Sequence, residues 1–385
     1  MVNYPKDWRE INLGDSLNYT QPHKYISNVM KDKGKNPVLT AGKSFVLGYS
    51  NETNIYENIP VILFDDFTTE VRYIDFKFLV RSSATKFLSL KNEENNLRFL
   101  YYKLANLNYV IESHERHWIK KFAGFSMKVP KIEEQNKVVE VISYFDEHIE
   151  NLEELIAKKK MIRDGAVEDL MSRKTRLDGF AGEWKTLQFQ NVITPKARIG
   201  WQGLKKDEYL KKGFAYLISG TDFENGTISL NEISYVNKER YSMDANIQVK
   251  EGDVLVTKDG TIGKIARVPE LNKKATLNSG VFVFRTNHLL EECFLCWILR
   301  SSIFGKFIDD LSAGSTIKHL YQKDLKNFSF TIPTDIKEQQ AIADTLTAMD
   351  EEIETLRKEK EKIEKLKVGA MDDLLTGKIR LVKEG

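Results

Sequence analysis

Only two of the 385 residues are cysteine, Cys293 and Cys296, and only eight are proline. Two thiols cannot build a disulfide framework, which fits a reducing compartment, so the cytoplasm is the expected location. No apolar run approaches the roughly 20 residues of a membrane span, and no leader with a basic start and an apolar middle opens the chain. Net charge is almost absent, with 58 Lys and Arg against 56 Asp and Glu. Proline is missing altogether from two long stretches, 134–177 and 338–381. What fills them organises the chain.

The two stretches are copies of each other. EQNKVVEVISYFDEHIENLEELIAKKKMIRDGAVEDLMSRKTRL aligns without a gap to EQQAIADTLTAMDEEIETLRKEKEKIEKLKVGAMDDLLTGKIRL at an offset of 204 residues. Glu134, Gln135, Asp146, Ile149, Leu152, Gly165, Asp169, Leu170 and Arg176 are among the positions that find the same residue there. Such a repeat decides the architecture before anything else is read. In the first copy Val138, Ile142, Phe145, Ile149, Leu152 and Ile156 recur at steps of four and three. In the second, Ile342, Leu346, Met349, Ile353 and Leu356 do the same, and Ile363, Leu366, Ala370 and Leu374 continue the seam. The spacing predicts two long helices, each with one narrow apolar stripe. At about 1.5 Å per residue, a helix of about 38 residues is roughly 57 Å long. A stripe that narrow needs a partner helix, and the other copy is the obvious one.

The order is globule, helix, globule, helix. If the stripes pack together, the second helix must return antiparallel to the first, giving a spacer with a globule at each end and a pseudo-twofold axis. The expected segments are 1–130, 131–183, 184–333 and 334–385. They carry 18 basic against 14 acidic residues, 9 against 13, 21 against 16 and 10 against 13. The globules are therefore basic and the helical segments acidic. A basic globule is the footprint of a nucleic-acid reader.

Within the first globule, PVLTAGKSFVLGYS (37–50) reads as strand, turn, strand. IPVILFDDFTTEVRYIDFKFLV (59–80) reads as the β-rich core, and LRFLYYKLANL (97–107) as a helix. The second globule has an Asn–Gly turn in FENGTISL (223–230) and an Asp–Gly turn in GDVLVTKDGTIGKIARV (252–268). EECFLCWILRSSIFGKFIDDL (291–311) is helical. The globules exit alike, through Pro130 or Pro333 into a Glu–Gln pair, so they are expected to share a fold although their sequences have diverged.

Catalytic signatures are weak. AGKS (41–44) resembles the end of a phosphate-binding loop, but the glycine that should open it is Pro37, and no good helix follows Ser44. Asp66, Asp75 and Lys77 match a nuclease-like trio that any charged chain produces by chance. Cys293 and Cys296 form one C-x-x-C where zinc needs four ligands, and His288 stands alone. Neither an amino-methylation motif nor a dinucleotide fingerprint is present, so the chain is expected to be non-catalytic and free of metal.

What remains is a set of basic loops with small or hydroxyl residues. In the first globule these are Lys33, Lys35, Lys43, Ser44, Arg72, Arg81, Lys86 and Arg116. In the second they are Lys205, Lys206, Lys258, Thr261, Lys264, Lys273 and Lys274, followed by Ser315, Thr316, Lys318 and Lys323. Phosphate contacts use Lys, Arg and hydroxyls, and base edges are read by Arg, Asn, Gln, Ser and Thr. Each residue alone reads as a solvated charge; as a set on two heads they point to double-stranded DNA. The competing readings are an adaptor with two protein-binding heads and an enzyme built on the phosphate-loop or nuclease-like residues.

The doubled block, with FDEHIENLEELI, GAVEDLMSRKTRL and GAMDDLLTGKIRL, resembles the two central helical regions of type I restriction–modification specificity subunits. GDVLVTKDGTIGK, SGTDFENGTI, AGSTIKHL and LFDDFTTEVRYIDFKFLV are similar to patterns in that family's target recognition domains. The resemblance implies an α+β chain in which two mixed α/β target recognition domains are separated by an antiparallel coiled-coil spacer. It implies a non-catalytic reader of a split DNA target, docked to two methyltransferase subunits that two motor–nuclease subunits can join. No cofactor is implied in this chain; S-adenosylmethionine, ATP and magnesium are expected on the partners.

Overall fold

The computed structural model describes residues 4–42, 44–107, 109–111, 116–199, 203–312 and 319–382. It is a mixed α/β structure with two long helices, Ile132–Met171 of 40 residues and Ile336–Thr376 of 41. The chain forms two compact units. One holds the residues up to Glu154 together with those from Arg357 onward; the other holds Leu155–Leu356. Each globular segment is thus grouped with half of each long helix.

In the first unit, Arg9–Asn12 pairs antiparallel with Ser126–Val129 and brings the ends of the globular segment together. A four-stranded antiparallel sheet runs in the order Leu17–Thr20, Thr85–Leu90, Val61–Asp65, Val71–Ile74. A three-stranded sheet runs Val46–Ser50, Asn36–Leu39, Leu79–Val80. The run Val61 to Phe64 is fully buried because it is covered on both faces. Leu63 and Val61 face a core with Leu39, Phe78 and Phe87. Phe64 and Ile62 face the helix Leu97–Ala105, together with Val138 and Ile142 of the first long helix and Leu374 and Leu375 of the second.

The second unit is closed in the same way, by Trp184–Gln188 antiparallel to Ser329–Pro333. Its larger sheet runs Ile193–Ala197, Val281–Thr286, Val254–Thr257, Ile265–Arg267, Thr227–Ile228, Phe223–Glu224. Asn225 and Gly226, at φ 50° and 83°, form the two-residue turn expected of Asn–Gly. The Asp–Gly site differs: the strands stop at Thr257 and Ile265, so Asp259 and Gly260 lie in a longer loop. The helix expected over 291–311 is two helices, Glu292–Arg300 and Ser302–Ser312, separated at Ser301. Phe294, Trp297 and Ile298 pack with Val167 and Leu170 of the first long helix and Ile342 and Leu346 of the second.

Within each unit the helix halves run antiparallel. In the first, Lys367 reaches Asp146 at 2.5 Å and Lys360 reaches Glu153 at 2.8 Å, so one number rises as the other falls. In the second, Lys159 meets Glu352 at 2.6 Å and Arg163 pairs with Asp350. Val138, Ile142, Leu152, Ile156, Ile342, Leu346, Ile353 and Leu374 are buried. Phe145, Ile149, Met349, Leu356 and Ile363 are half-buried. Leu366 corrects the expected stripe, being 50 % exposed. Lys367, the next residue, is half-buried instead, and its ammonium reaches Asp146.

The duplicated Glu–Gln–Arg set explains why those residues recur. Arg380 grips Glu134 with both oxygens, at 2.7 and 2.8 Å, and Arg176 grips Glu338 at 2.8 and 2.7 Å. Gln135 and Gln339 are fully buried. Gln135 donates to the Pro130 carbonyl and accepts from the Asn96 amide; Gln339 donates to the Pro333 carbonyl and accepts from the Glu291 amide. Each set ties a helix start to the strand before it and to the loop leading into a globular helix. The helix ends are also equivalent. Arg173 and Gly377, 204 residues apart, take positive φ of 64° and 75° and close matching caps. Arginine fills the first of these caps, but position 377 needs glycine because a Cβ there would stand 2.6 Å from the Pro5 ring.

Candidate nucleic-acid interface

The expected DNA contacts fall into distinct environments. Lys43, Ser315, Thr316 and Lys318 lie outside the described residues. In the first unit, Lys33 and Lys35 are exposed before the strand Asn36–Leu39, and the Lys35 amide is held by Asn51 at 3.0 Å. Ser44 is exposed in the turn between two antiparallel strands. Beside that turn, Arg72 donates to the Ala41 carbonyl at 3.4 Å and lies 5.7 Å from the Phe45 ring. Arg81 is exposed and braced by Asn28 at 2.8 Å. Arg116 is exposed at the start of the short helix His117–Lys120.

Lys86 differs from the surface residue that the basic-loop pattern suggests. It lies in a strand covered on both faces and is 2 % exposed. Its ammonium is spent on Gln21 at 2.8 Å and on the Ser83 carbonyl, and burial lowers its pKa. Asp66 lies nearby, also fully buried, accepting from the Tyr19 hydroxyl at 2.8 Å and the Trp118 amide at 3.0 Å. Lys77 pairs with Glu57 and Asp75 is exposed, so the nuclease-like trio is not assembled.

The second unit gathers its candidates into two groups. Lys205 and Lys206 are exposed beside Glu208, which accepts from the Lys205 amide and from Arg240 at 2.5 and 2.8 Å. The Arg240 guanidinium holds the Glu208 carboxyl down at about 2. Tyr241 follows Arg240, and Lys274 lies 5.6 Å from both the Tyr241 and Phe214 rings. Lys273 lies 5.0 Å from Tyr235. Exposed ammoniums carried on aromatic rings suit a phosphate backbone, and the rings limit the entropy lost on contact.

The other group is the loop Lys258 to Lys264. Thr257 is buried; its hydroxyl accepts the Lys264 amide at 2.9 Å and donates to the Thr261 carbonyl. Gly260 and Gly263 take φ of 70° and 81°, which the tight return needs. Lys258 is half-buried, 5.6 Å from the Phe282 ring, while Thr261 and Lys264 are exposed. The Leu320 amide donates to the Lys258 carbonyl at 2.8 Å, so the segment carrying His319, Tyr321 and Lys323 joins this loop. Tyr321 is 54 % exposed and lies 5.4 Å from the Lys323 ammonium. Arg240, His319 and Tyr321 were not among the residues singled out from sequence.

Both cysteines are buried and free. Burial pushes the Cys296 thiol up to about 12, and Cys293 lies 3.4 Å from the Thr347 hydroxyl, so both act as core groups. Among the described residues, no group of three or more His, Cys, Asp and Glu could hold a metal ion, and no helix is long and apolar enough to cross a membrane.

Comparison with known proteins follows the same division. The family model described as the type I restriction modification DNA specificity domain matches residues 5–159 and 184–365. The chain is 27 % identical to the type I restriction enzyme MjaVIII specificity subunit of Methanocaldococcus jannaschii, over 99 % of this chain and 95 % of that protein. It is 28 % identical to the EcoR124I/EcoR124II specificity subunit of Escherichia coli, over 88 % of this chain and 85 % of that one. In fold it is similar to the crystal structure of a type I restriction–modification S subunit from M. genitalium, with a TM-score of 0.66, 16 % identity and 97 % of each chain covered. The chain belongs to the family of type I restriction modification DNA specificity proteins.

Proposed function

We propose that this chain is the non-catalytic DNA-reading subunit of a type I restriction–modification complex, and that each globular segment reads one half of a split target. The observation that carries this reading is the family match over both halves, each half bearing its own exposed basic loops. Lys258, Thr261, Lys264 and Lys323 form one contact group, and Lys205, Lys206, Lys273 and Lys274 another. Lys33, Lys35, Arg72, Arg81 and Arg116 serve the first half. Lys86 is left out, because its buried ammonium is already bonded within the chain.

Two methyltransferase subunits dock on the long helices in this reading. Ile162 and Leu366 support it: they are 204 residues apart and each is 50 % exposed. Equivalent apolar side chains left uncovered on both repeats suit two copies of one partner. S-adenosylmethionine, ATP and magnesium belong to those partners and to the motor–nuclease subunits.

Mapping of methylated adenines in cells carrying this chain and its methyltransferase tests the reading. A target of two short specified halves with an unspecified gap is expected. An uninterrupted target, or methylation that does not depend on this chain, would overturn it.

A further inference from the structure

The loop from Lys258 to Lys264 is basic, yet it carries one carboxylate, Asp259. A carboxylate among lysines would repel a phosphate backbone unless its charge were spent elsewhere. That carboxylate is engaged by His319, whose Nδ1 lies 2.6 Å from Asp259 Oδ1. The backbones of the two residues also pair as an isolated antiparallel bridge, 60 positions apart in sequence. The histidine side chain is 52 % exposed and the aspartate 35 %. Next to Asp259, the Lys258 amide donates to the Gly280 carbonyl at 2.9 Å. The loop that carries Asp259 is thus fixed by the Thr257 hydroxyl, which bonds the Thr261 carbonyl and the Lys264 amide, and by the Leu320 amide and the Gly280 carbonyl, which both bond the Lys258 backbone.

This geometry matters for the imidazole. An acceptor at Nδ1 fixes the ring's orientation and keeps the Nδ1 hydrogen, leaving Nε2 as the functional atom. Nε2 makes no hydrogen bond among the described residues. In neutral form it accepts, as an adenine N6 or cytosine N4 amino group requires; in charged form it donates, as guanine N7 and O6 require. A plain surface ion pair would need neither the backbone bridge nor the rigid loop. Tyr321 lies 6.0 Å from the imidazole ring, and the Lys323 ammonium lies 5.4 Å from the Tyr321 ring.

We propose that His319 reads one base edge in the half-site recognised by the second unit, with Asp259 as its positioning residue. The proposal rests on the DNA-reading function above and adds the residue that specifies a base.

The test uses the full chain assembled with its methyltransferase, with binding measured on duplexes varied one base at a time. His319→Ala should relax preference at a single position of one half-site, by roughly 5- to 150-fold, and leave the other half-site unchanged. Asp259→Asn should relax the same position by less, and the double variant should match His319→Ala. A uniform loss across all duplexes, or unchanged preference in both variants, would overturn the assignment while leaving the split-target reading intact. Absence of a split target in the wild-type complex would sink both. Asp259→Asn keeps the side-chain size and decides the matter by itself if His319→Ala is not recovered folded.

Discussion

Replacing Gln135 by Leu tests how the first unit is fastened to its helix. Leucine nearly matches the volume and removes every polar atom. Gln135 makes three side-chain hydrogen bonds, to the Asn96 amide at 2.9 Å, the Pro130 carbonyl at 3.0 Å and Asn95 Oδ1 at 3.2 Å. Asn95 keeps a second partner, since Arg9 donates to the same oxygen at 2.9 Å. Two groups are therefore stranded, one amide and one carbonyl, in a site with no solvent exposure at Gln135. An orphaned buried polar group costs about 1–3 kcal/mol, and the added apolar surface offsets about 1 kcal/mol, so the loss is about 3 kcal/mol. For a unit of this size that lowers the melting temperature by roughly 6–12 °C. Calorimetry supplies the midpoint, and hydrogen exchange at the Asn96 amide locates the damage. Gln340→Leu is the control, because Gln340 is exposed on the next position of the equivalent helix start and should shift the midpoint little. A Gln135→Leu midpoint within about 1 °C of wild type would show that the buried amide does not hold this junction.

Three further outcomes follow from the same structure. Lys103 is 7 % exposed, bonded to the Leu375 carbonyl at 2.9 Å, and burial pushes its pKa down to about 8 from 10.5. Between those values the unfolded chain holds the proton that the folded chain releases, so stability should rise with pH through that window by up to about 3 kcal/mol. Lys103→Met should abolish this component in denaturant titrations at pH 7 and 10, and an unchanged pH dependence would contradict it. Lys258→Ala or Lys264→Ala should weaken binding on every sequence and reduce the salt slope by about 0.9 each, as measured by titration at several ionic strengths; a sequence-selective loss would make them base readers. Inserting one helical turn near Lys158–Lys160 should lengthen the unspecified gap and leave both half-sites intact, and an unchanged gap would remove the helices as the ruler.

Much of the scaffold was legible because its signals are local and repeated. A narrow stripe at steps of four and three, with no proline, can only be a long helix seeking a partner. The Glu–Gln pair after Pro130 and Pro333 marked both helix starts, although its purpose appears only when Asn96 and Glu291 are brought beside it. Leu366 departs from the stripe because Lys367, one position later, is the half-buried residue, paired with Asp146, and pattern counting treats lysine as outward-facing. Lys86 was read as a surface charge for a similar reason: its strand alternates weakly, and both faces are covered. His319 had no visible partner, because Asp259 lies 60 residues earlier and meets it only through the fold. The candidate basic loops were legible as a composition but not as groups. The Asp259–His319 bridge and the Leu320–Lys258 hydrogen bond bring residues 319 and 320 beside the loop from Lys258 to Lys264.

The most direct measurement is an exchange of segment 184–333 for the corresponding segment of a relative with a different target, followed by mapping of methylated adenines. One half of the split target should change to the donor's sequence, while the other half and the gap remain as they were. A change in both halves, or in neither, would contradict the claim that the two globular segments read DNA independently.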